Sequence, residues 1–245
     1  MARFFLPRTN FRENRGTIMG AELLHLRRVL RLRPDDRVII FDDAGWEHEA
    51  LIRSFGEDRG EIEIVRSYRV QNESPLNITL ALGFTKGEKM DFVVEKATEL
   101  GAQSIAPFSS EHTVPKLDAR KIAQRSERWR KIALSAAKQC GRVRIPEILP
   151  VGNFRALVEQ SSPRASRLLF WEQESRQSLD EIRRNEDGQE FFIMIGPEGG
   201  FSRQEAELAV EHGFQTVRLG PRTLRAETAA VAALSAVQLL WGDLR

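Results

Sequence analysis

The chain has 245 residues, a formal net charge of +2, 41% hydrophobic residues and a single cysteine, Cys140. One cysteine excludes an internal disulfide framework and a cysteine-rich zinc site, and it is typical of a protein from a reducing cytosol. We expect a cytoplasmic protein, because residues 1–10 carry no secretory signal and no stretch is long and apolar enough to span a membrane.

Short strands separated by turns are predicted in the first 70 residues. Segments 37–41, 47–53 and 61–66 are typical of strands, and the last two alternate polar and apolar side chains. A short helix is predicted before them, at about residues 21–30. This pattern indicates a small β-barrel or sheet module, and the polar segment 70–75, which ends in a proline, is predicted to be a linker.

After Pro75 the pattern changes to alternating strands and helices, which predicts an α/β domain with a mostly parallel sheet. Ser202 and Glu205 form the S-x-x-E pattern that starts a helix, and the apolar helix 227–241 is predicted to be buried. The predicted strands are 77–84, 104–108, 167–171, 190–195 and 216–219, and the other predicted helices are 88–100 and 118–140. The predicted domains are therefore residues 1–72 and 73–245.

Basic residues concentrate in two segments of the chain. Residues 1–33 hold eight arginines against two acids, and residues 116–144 hold ten lysines or arginines against two acids. Such segregation indicates a surface that binds a polyanion such as RNA. The alternative is that these arginines only form a solvated helix surface.

The segment "IGPEGGFS" (195–202) joins a predicted strand to a predicted helix. Turns at the carboxyl ends of parallel strands are where open α/β sheets bind ligands, and glycines allow a ligand to approach the backbone closely. The dinucleotide and P-loop glycine patterns are absent, and Glu198 would repel a phosphate. We therefore expect a neutral or cationic ligand at this turn, with a plain strand-to-helix connection as the alternative.

A second glycine–proline turn, "LGPRTLRAETA" (219–229), also leaves a strand and begins a helix. Two such turns after two parallel strands could line one pocket. Arg225 lies near the amino end of the last helix, where the helix dipole disfavours a cation, which indicates contact with something negative. The four histidines have no metal-ligand spacing, so no metal is expected.

Together these residues resemble the SPOUT class of methyltransferases, and more narrowly the bacterial 16S rRNA uracil-N3 methyltransferase family. The resemblance covers almost the whole chain. It is carried by "RFFL" (3–6), "HLRRVLRL" (25–32), "KGEKMDFVVEKATELG" (86–101), "RWRKIALSAAKQCGR" (128–142) and the two glycine turns. Thr223 and Ala226 depart from the residues that are commoner in this family, and "SSEHTV" (109–114) follows its pattern only loosely.

The resemblance implies a PUA-like RNA-binding β-barrel in residues 1–72, a trefoil-knotted methyltransferase domain in residues 73–245, and a homodimer that acts on 16S rRNA of the small ribosomal subunit. It also implies S-adenosyl-L-methionine as the cofactor. Carried over, the cofactor-binding residues are Phe170, Trp171, Glu172, Gly196, Pro197, Glu198, Gly199, Gly200, Leu219, Gly220, Leu224, Arg225, Thr228 and Ala229.

For the transfer to uracil N3, we expect Arg225 or Arg222 to stabilise negative charge on the uracil. Glu198 is expected to orient the cofactor, the turn or the base, and a role as general base is a weaker hypothesis. The uracil must be unpaired or flipped, because N3 lies on its pairing edge.

The residues expected to contact the RNA backbone are basic, namely Arg8, Arg12, Arg27, Arg28, Arg31, Lys131, Lys138, Arg142 and Arg144. Binding of RNA through such residues should weaken steeply as the salt concentration rises. Two alternatives stay open at this point: an RNA-binding ribosome-assembly factor that transfers no methyl group, and a SPOUT methyltransferase that acts on another RNA.

Overall fold

The structure is a computed structural model that describes residues 1–113, 118–174, 177–184 and 188–244. The chain forms two compact units. The first consists of Met1–Glu73 with Ala137–Ile145, and the second of Ser74–Ala136 with the chain from Pro146 onward. The predicted division at residue 72 left segment 137–145 in the second domain, whereas this segment packs with the first unit.

The first unit is built on a six-stranded sheet. Its strands are β1 (Ala2–Phe5), β2 (Phe11–Arg12), β3 (Arg15–Met19), β4 (Arg37–Phe41), β5 (Trp46–Phe55) and β6 (Arg59–Arg69), in the spatial order β1-β4-β5-β6-β3-β2. The pair β1–β4 is parallel and the other pairs are antiparallel. The three strands predicted here all form, whereas β1, β2 and β3 were not predicted because they are short or lack clear alternation.

The core of the first unit lies on one face of this sheet. Phe4, Ile18, Ile40 and Ile52 are fully buried, and the alternation along each strand turns the intervening polar side chains away from them. The helical segment after β3 begins as α1 (Gly20–Leu24) and continues as a π-helical turn. A 3₁₀ turn also spans Arg8–Asn10.

Two basic residues of segment 137–145 are held by acids of the same unit. Lys138 Nζ donates to both carboxylate oxygens of Glu22 at 2.7 and 2.8 Å, and Arg142 pairs with Glu73 at 2.8 Å with its side chain 5% exposed. The buried, paired Arg142 is therefore removed from the predicted RNA contacts, whereas the role of the half-buried Lys138 in RNA binding stays a prediction. A buried, paired guanidinium such as that of Arg142 is not available to a phosphate.

The other residues predicted to contact RNA are exposed at the surface. They are Arg8, Arg12, Arg27, Arg28, Arg31, Lys131 and Arg144. Arg27 donates to the Gly56 carbonyl, and Lys131 lies 3.6 Å from Glu127 at the exposed helix surface. Their role in RNA binding stays a prediction.

The second unit contains a seven-stranded parallel sheet. Its strands are β7 (Asn77–Gly83), β8 (Ser104–Ser109), β9 (Glu147–Ile148), β10 (Gly152–Asn153), β11 (Ser166–Phe170), β12 (Glu190–Ile195) and β13 (Gln215–Val217), in the order β10-β8-β7-β12-β11-β13 with β9 beside β8. All pairs are parallel. The five strands predicted here form, and the two-residue strands β9 and β10 are too short for a periodic signal.

The described residues after Pro75 form five helices: α2 (Lys89–Glu99), α3 (Ala119–Cys140), α4 (Phe154–Gln160), α5 (Arg203–Glu211) and α6 (Ala226–Trp241). The last residues of α3, from Ala137, belong to the first unit. A 3₁₀ turn spans Leu179–Glu181. The predicted capping box of α5 forms, since the Glu205 N–H donates to Ser202 Oγ and the Ser202 N–H donates to Glu205 Oε2. Helix α4 was not predicted.

Helix α6 differs from its predicted burial. Ala230, Ala233, Leu234 and Val237 are fully buried along one face, whereas Leu239 is 56% exposed. The prediction that the whole of α6 is buried was therefore wrong, because part of the helix lies at the surface of this chain.

Among the described residues, the helices are too short or too polar to span a membrane.

Candidate active site

A cavity of about 490 Å³ lies in the second unit where three neighbouring parallel strands end. The chain leaves β11 at Phe170, β12 at Ile195 and β13 at Val217, and all three carboxyl ends face this cavity. Parallel strands bring their carboxyl ends to one edge of the sheet, so turns far apart in sequence meet there.

Most of the predicted cofactor residues line this cavity. Thirteen of the fourteen do so, whereas Thr228 is exposed on the first turn of α6 and does not. Arg222, predicted for its charge, also lines it. The lining residues that sequence reasoning missed are Lys89, Ile195, Val217, Arg218, Pro221, Thr223 and Ala226. All but Lys89 lie within two positions of a predicted residue, and no sequence signal pointed to Lys89.

The turn after β12 presents bare backbone to the cavity. The Gly200 N–H donates to the Pro197 carbonyl at 2.9 Å, which closes the turn. Gly200 has φ +69°, a left-handed conformation that favours glycine, and a Cβ at this position would overlap the Glu172 carboxylate. Substitution would therefore both strain the turn and fill the space between it and Glu172.

Glu198 is anchored at this turn by two donors. Its Oε1 accepts hydrogen bonds from the Lys86 N–H at 2.9 Å and from Lys89 Nζ at 3.0 Å. Partial burial raises the pKa of Glu198, but these hydrogen bonds outweigh it and hold the pKa below the ordinary value of 4.5. The carboxylate is thus ionised and fixed, which suits positioning and disfavours a general base near neutral pH.

Lys89 links Glu198 to the last helix. Its Nζ lies 3.7 Å from Glu227 Oε2, and that oxygen is buried without a hydrogen-bond partner among the described residues. One ammonium therefore neutralises a carboxylate of the β12 turn and a carboxylate of α6. Sequence reasoning placed Lys89 at the start of a helix and assigned it no role.

Charge is divided between the turns around the cavity. Glu172 after β11 is exposed and has no ion pair or hydrogen bond among the described residues. The turn after β13 carries Arg222 and Arg225, which are also exposed and have no partner in the described part of the chain. The cavity thus combines two turns that carry acids with one that carries arginines.

Across the residues that the structure describes, no three His, Cys, Asp or Glu side chains group closely enough to hold a metal ion.

Comparison with known proteins agrees with this geometry. The family model of the RNA methyltransferase domain matches residues 72–238, and that of the RNA methyltransferase PUA domain matches residues 18–65. The chain belongs to the RNA methyltransferase family.

Individual relatives of this RNA methyltransferase extend the match to the whole chain. The Bacillus subtilis protein named ribosomal RNA small subunit methyltransferase E is 32% identical over 255 residues, covering 99% of this chain and all of that protein. The Neisseria gonorrhoeae structure of the same name, bound to S-adenosyl methionine, is 36% identical with a TM-score of 0.89 and full coverage of both chains. A Legionella pneumophila structure in complex with the cofactor SAM is 32% identical, with a TM-score of 0.85 over 99% and 98% of the two chains.

These matches confirm the predicted fold class of the methyltransferase: an α/β SPOUT domain with a parallel sheet, and a smaller N-terminal unit of PUA type. They also confirm the resemblance inferred from the glycine turns. The residues at the cavity fit S-adenosylmethionine, which carries a sulfonium and an ammonium, because Glu172, unpaired among the described residues, offers negative charge beside a glycine backbone that allows close approach.

Glu198→Gln tests whether this carboxylate positions the site or takes a proton. We expect the methyltransferase variant to bind cofactor about tenfold more weakly, because a charged partner of Lys89 is lost. The pH–rate profile should keep its shape between about pH 5 and 8, because a lowered pKa leaves Glu198 ionised there and its contribution is lost only as the pH falls below that range. Calorimetry and initial rates measure both effects.

The matched control is Glu207→Gln. Glu207 is an exposed acid of α5 that pairs with Arg203 and does not line the cavity. It should leave cofactor affinity unchanged. Loss of a titration step above about pH 6 in Glu198→Gln would instead identify Glu198 as the general base.

Proposed function

We propose that this chain methylates N3 of a uridine in 16S rRNA, with S-adenosyl-L-methionine as the methyl donor. The observation that carries the proposal is the cavity at the carboxyl edge of β11, β12 and β13, with its glycine turn and its division between acids and arginines. The relatives named above as small-subunit rRNA methyltransferases support the choice of RNA.

The cofactor side of the proposal rests on the turns after β11 and β12. S-adenosylmethionine supplies a methyl group that its sulfonium centre has already activated, so the protein has to supply orientation and electrostatics. We assign Glu172, Glu198 and the backbone of Gly196–Gly200 to holding it. Lys89 keeps Glu198 in place through the 3.0 Å ion pair.

The uracil side rests on the turn after β13. Methylation requires N3 to lose its proton, so negative charge builds up on the base as the reaction proceeds. We assign Arg225, with Arg222 beside it in sequence, to stabilising that charge. Both side chains are exposed and unpaired among the described residues, so they are available to the substrate without breaking an existing contact.

The first unit is proposed to bind the RNA. We assign residues 1–72 to an RNA-binding domain and residues 73–245 to the methyltransferase domain, which the positions of the two family models support. The exposed arginines Arg12, Arg28 and Arg31 are proposed to contact the phosphate backbone.

We also propose that the protein acts in the cytoplasm as a homodimer. Leu239 and Leu240 of α6 and Leu244 beyond it are exposed apolar side chains, which is the surface chemistry of an interface. Sedimentation equilibrium of the full chain gives the molecular mass directly. A mass equal to that of one chain would contradict the dimer.

The function itself is tested by mapping methylated uridines in rRNA by mass spectrometry. In a strain that lacks the gene, one 3-methyluridine of 16S rRNA should disappear and should return when the gene is restored. If all 3-methyluridine persists in the deletion strain while ribosome assembly is impaired, the chain is an assembly factor. Loss of a methyl group from tRNA in the deletion strain would instead show that the chain methylates another RNA.

A further inference from the structure

A second cavity lies on the first unit and shares no lining residue with the methyl-transfer cavity. It measures about 470 Å³, and its lining includes one arginine, two carboxylates, three rings and two neutral polar residues, namely Arg8, Glu13, Asp42, Phe11, Trp46, His48, Asn14 and Ser67. We refer to it as the barrel cavity. Its volume lies within the range of roughly 300–1,000 Å³ that is typical of small-molecule sites in proteins.

The walls of the barrel cavity are aromatic. Phe11, Trp46 and His48 are only partly buried, and the rings of Phe11 and His48 pack with centroids 5.2 Å apart. Burial lowers the pKa of His48 below its ordinary value of 6.5, in spite of the nearby Asp42 carboxylate. The imidazole is therefore neutral at physiological pH, and the partly exposed rings of Phe11 and Trp46 provide the aromatic surfaces for stacking.

A fixed arginine lies at this cavity. Asp42 is buried, and its carboxylate accepts hydrogen bonds from the Ala44 N–H at 2.9 Å, the Trp46 N–H at 3.2 Å and Arg8 Nε at 2.7 Å. The Arg8 side chain is nevertheless 63% exposed. Its two terminal nitrogens have no partner among the described residues. Asp42 thus holds a guanidinium whose free edge can bind a phosphate with two hydrogen bonds.

Polar groups complete the lining. Asn14 is exposed, and its backbone carbonyl accepts a hydrogen bond from the Ile64 N–H at 2.7 Å, which fixes its position. Its side-chain amide can both donate and accept. Ser67 Oγ lies 2.8 Å from His48 Nδ1. Donors and acceptors next to aromatic walls match the edge and the face of a nucleobase.

We propose that the barrel cavity binds one unpaired nucleotide of the RNA substrate, with the base against Phe11 and Trp46 and the phosphate on Arg8. The excess of arginine in residues 1–33, eight against two acids, favours RNA over a peptide. The proposal rests on the proposed function, because that function makes RNA the substrate. It adds a contact outside the site of methyl transfer that reads a base rather than only the backbone.

The test compares two RNAs that differ only in their bases. A labelled single-stranded oligouridylate of about ten nucleotides and an abasic RNA of equal length are titrated with the full chain by fluorescence anisotropy. The chain should bind the oligouridylate about tenfold more tightly than the abasic RNA. Phe11→Leu and Trp46→Leu should each reduce that difference to about twofold or less, whereas Arg8→Gln should weaken binding of both RNAs alike.

Tyr68→Leu is the matched control. Tyr68 follows Ser67 in β6 and lies on the opposite face of the sheet, where its hydroxyl donates to Glu47. This variant should keep the tenfold difference. Asn14→Ala, at an exposed position, should reduce it about threefold and serves if an aromatic variant does not fold.

The outcomes separate the two proposals. Equal binding of both RNAs by the unsubstituted chain, or an undiminished difference in folded Phe11→Leu and Trp46→Leu, overturns the barrel cavity as a base site and leaves methyl transfer untouched. Failure of the chain to bind either RNA counts against the proposed function as well. Calorimetric affinity for S-adenosylmethionine, which should be the same in all variants, shows that the methyl-transfer cavity is intact.

Discussion

Arg225→Ala is expected to lower the rate of methyl transfer to rRNA by about 100- to 1,000-fold, the usual effect of removing one preorganised group that stabilises charge. Arg225 lines the cavity and stands at the amino end of α6, where it is exposed and makes no side-chain capping bond. Because nothing among the described residues depends on its guanidinium, the variant should fold normally. If Arg225 acts on the uracil, the loss should appear in turnover at saturating cofactor; a loss of cofactor affinity would instead support the predicted role of Arg225 in cofactor binding.

Single-turnover kinetics with saturating cofactor measure this effect directly. Arg225→Lys should recover part of the rate, because it restores the positive charge without the guanidinium fork. Arg203→Ala is the matched control: Arg203 is an exposed arginine at the start of α5, 2.9 Å from Glu207 and outside the cavity. Equal single-turnover rates for Arg225→Ala and the unsubstituted protein would remove Arg225 from the reaction.

Gly83→Ala is expected to weaken cofactor binding by about tenfold, because the added Cβ displaces the turn at Pro197, which lines the cofactor cavity. The rate should fall as well, since a misplacement of about 1 Å can cost about 100-fold. Gly83 is the last residue of β7, and a Cβ there would lie 2.5 Å from the Pro197 nitrogen and 2.6 Å from Pro197 Cδ. These atoms belong to the turn that carries Glu198, and a proline ring cannot rotate away. The turn must move, or the strands must separate.

The same substitution should lower the free energy of unfolding by about 1–3 kcal/mol, the usual cost of overpacking. Urea denaturation and calorimetry with S-adenosylmethionine measure the two effects. Gly152→Ala in β10 is the control, because its Cβ would meet only Leu157 side-chain atoms, the nearest at 3.3 Å, and these can shift. If Gly83→Ala bound cofactor normally, the close approach of β7 to the Pro197 turn would not matter for the site.

The sequence predicted those parts of the site that come directly after a strand in the chain. Glycine, proline and charged residues after β11, β12 and β13 marked the turns, and 13 of the 14 predicted cofactor residues line one cavity. Thr228 was the exception, because it lies on the exposed face of the first turn of α6, whereas Ala226 and Ala229 of the same turn line the cavity. The roles of these residues in cofactor binding stay predictions.

Contacts between residues far apart in the sequence could not be predicted from it. Lys89 lies more than 100 positions before Glu198, and only the pairing of β7 with β12 brings the following helix to that turn. Gly83 was read as an ordinary strand residue, although it touches Pro197. Charge alone predicts Arg142 as an RNA contact, since sequence does not show which charges are paired and buried.

Local patterns in the sequence determined the alternation of strands and helices, the glycine turns, the capping box of α5 and the basic character of the amino-terminal segment. These depend on backbone conformation and side-chain periodicity over a few residues, which short stretches of sequence encode. The tertiary structure alone decided the strand order, the ion pair that fixes Glu198, the burial of Arg142 and the anchoring of Arg8 by Asp42. Each of these depends on which distant segments meet, because hydrogen bonding and desolvation act only over a few ångströms in space.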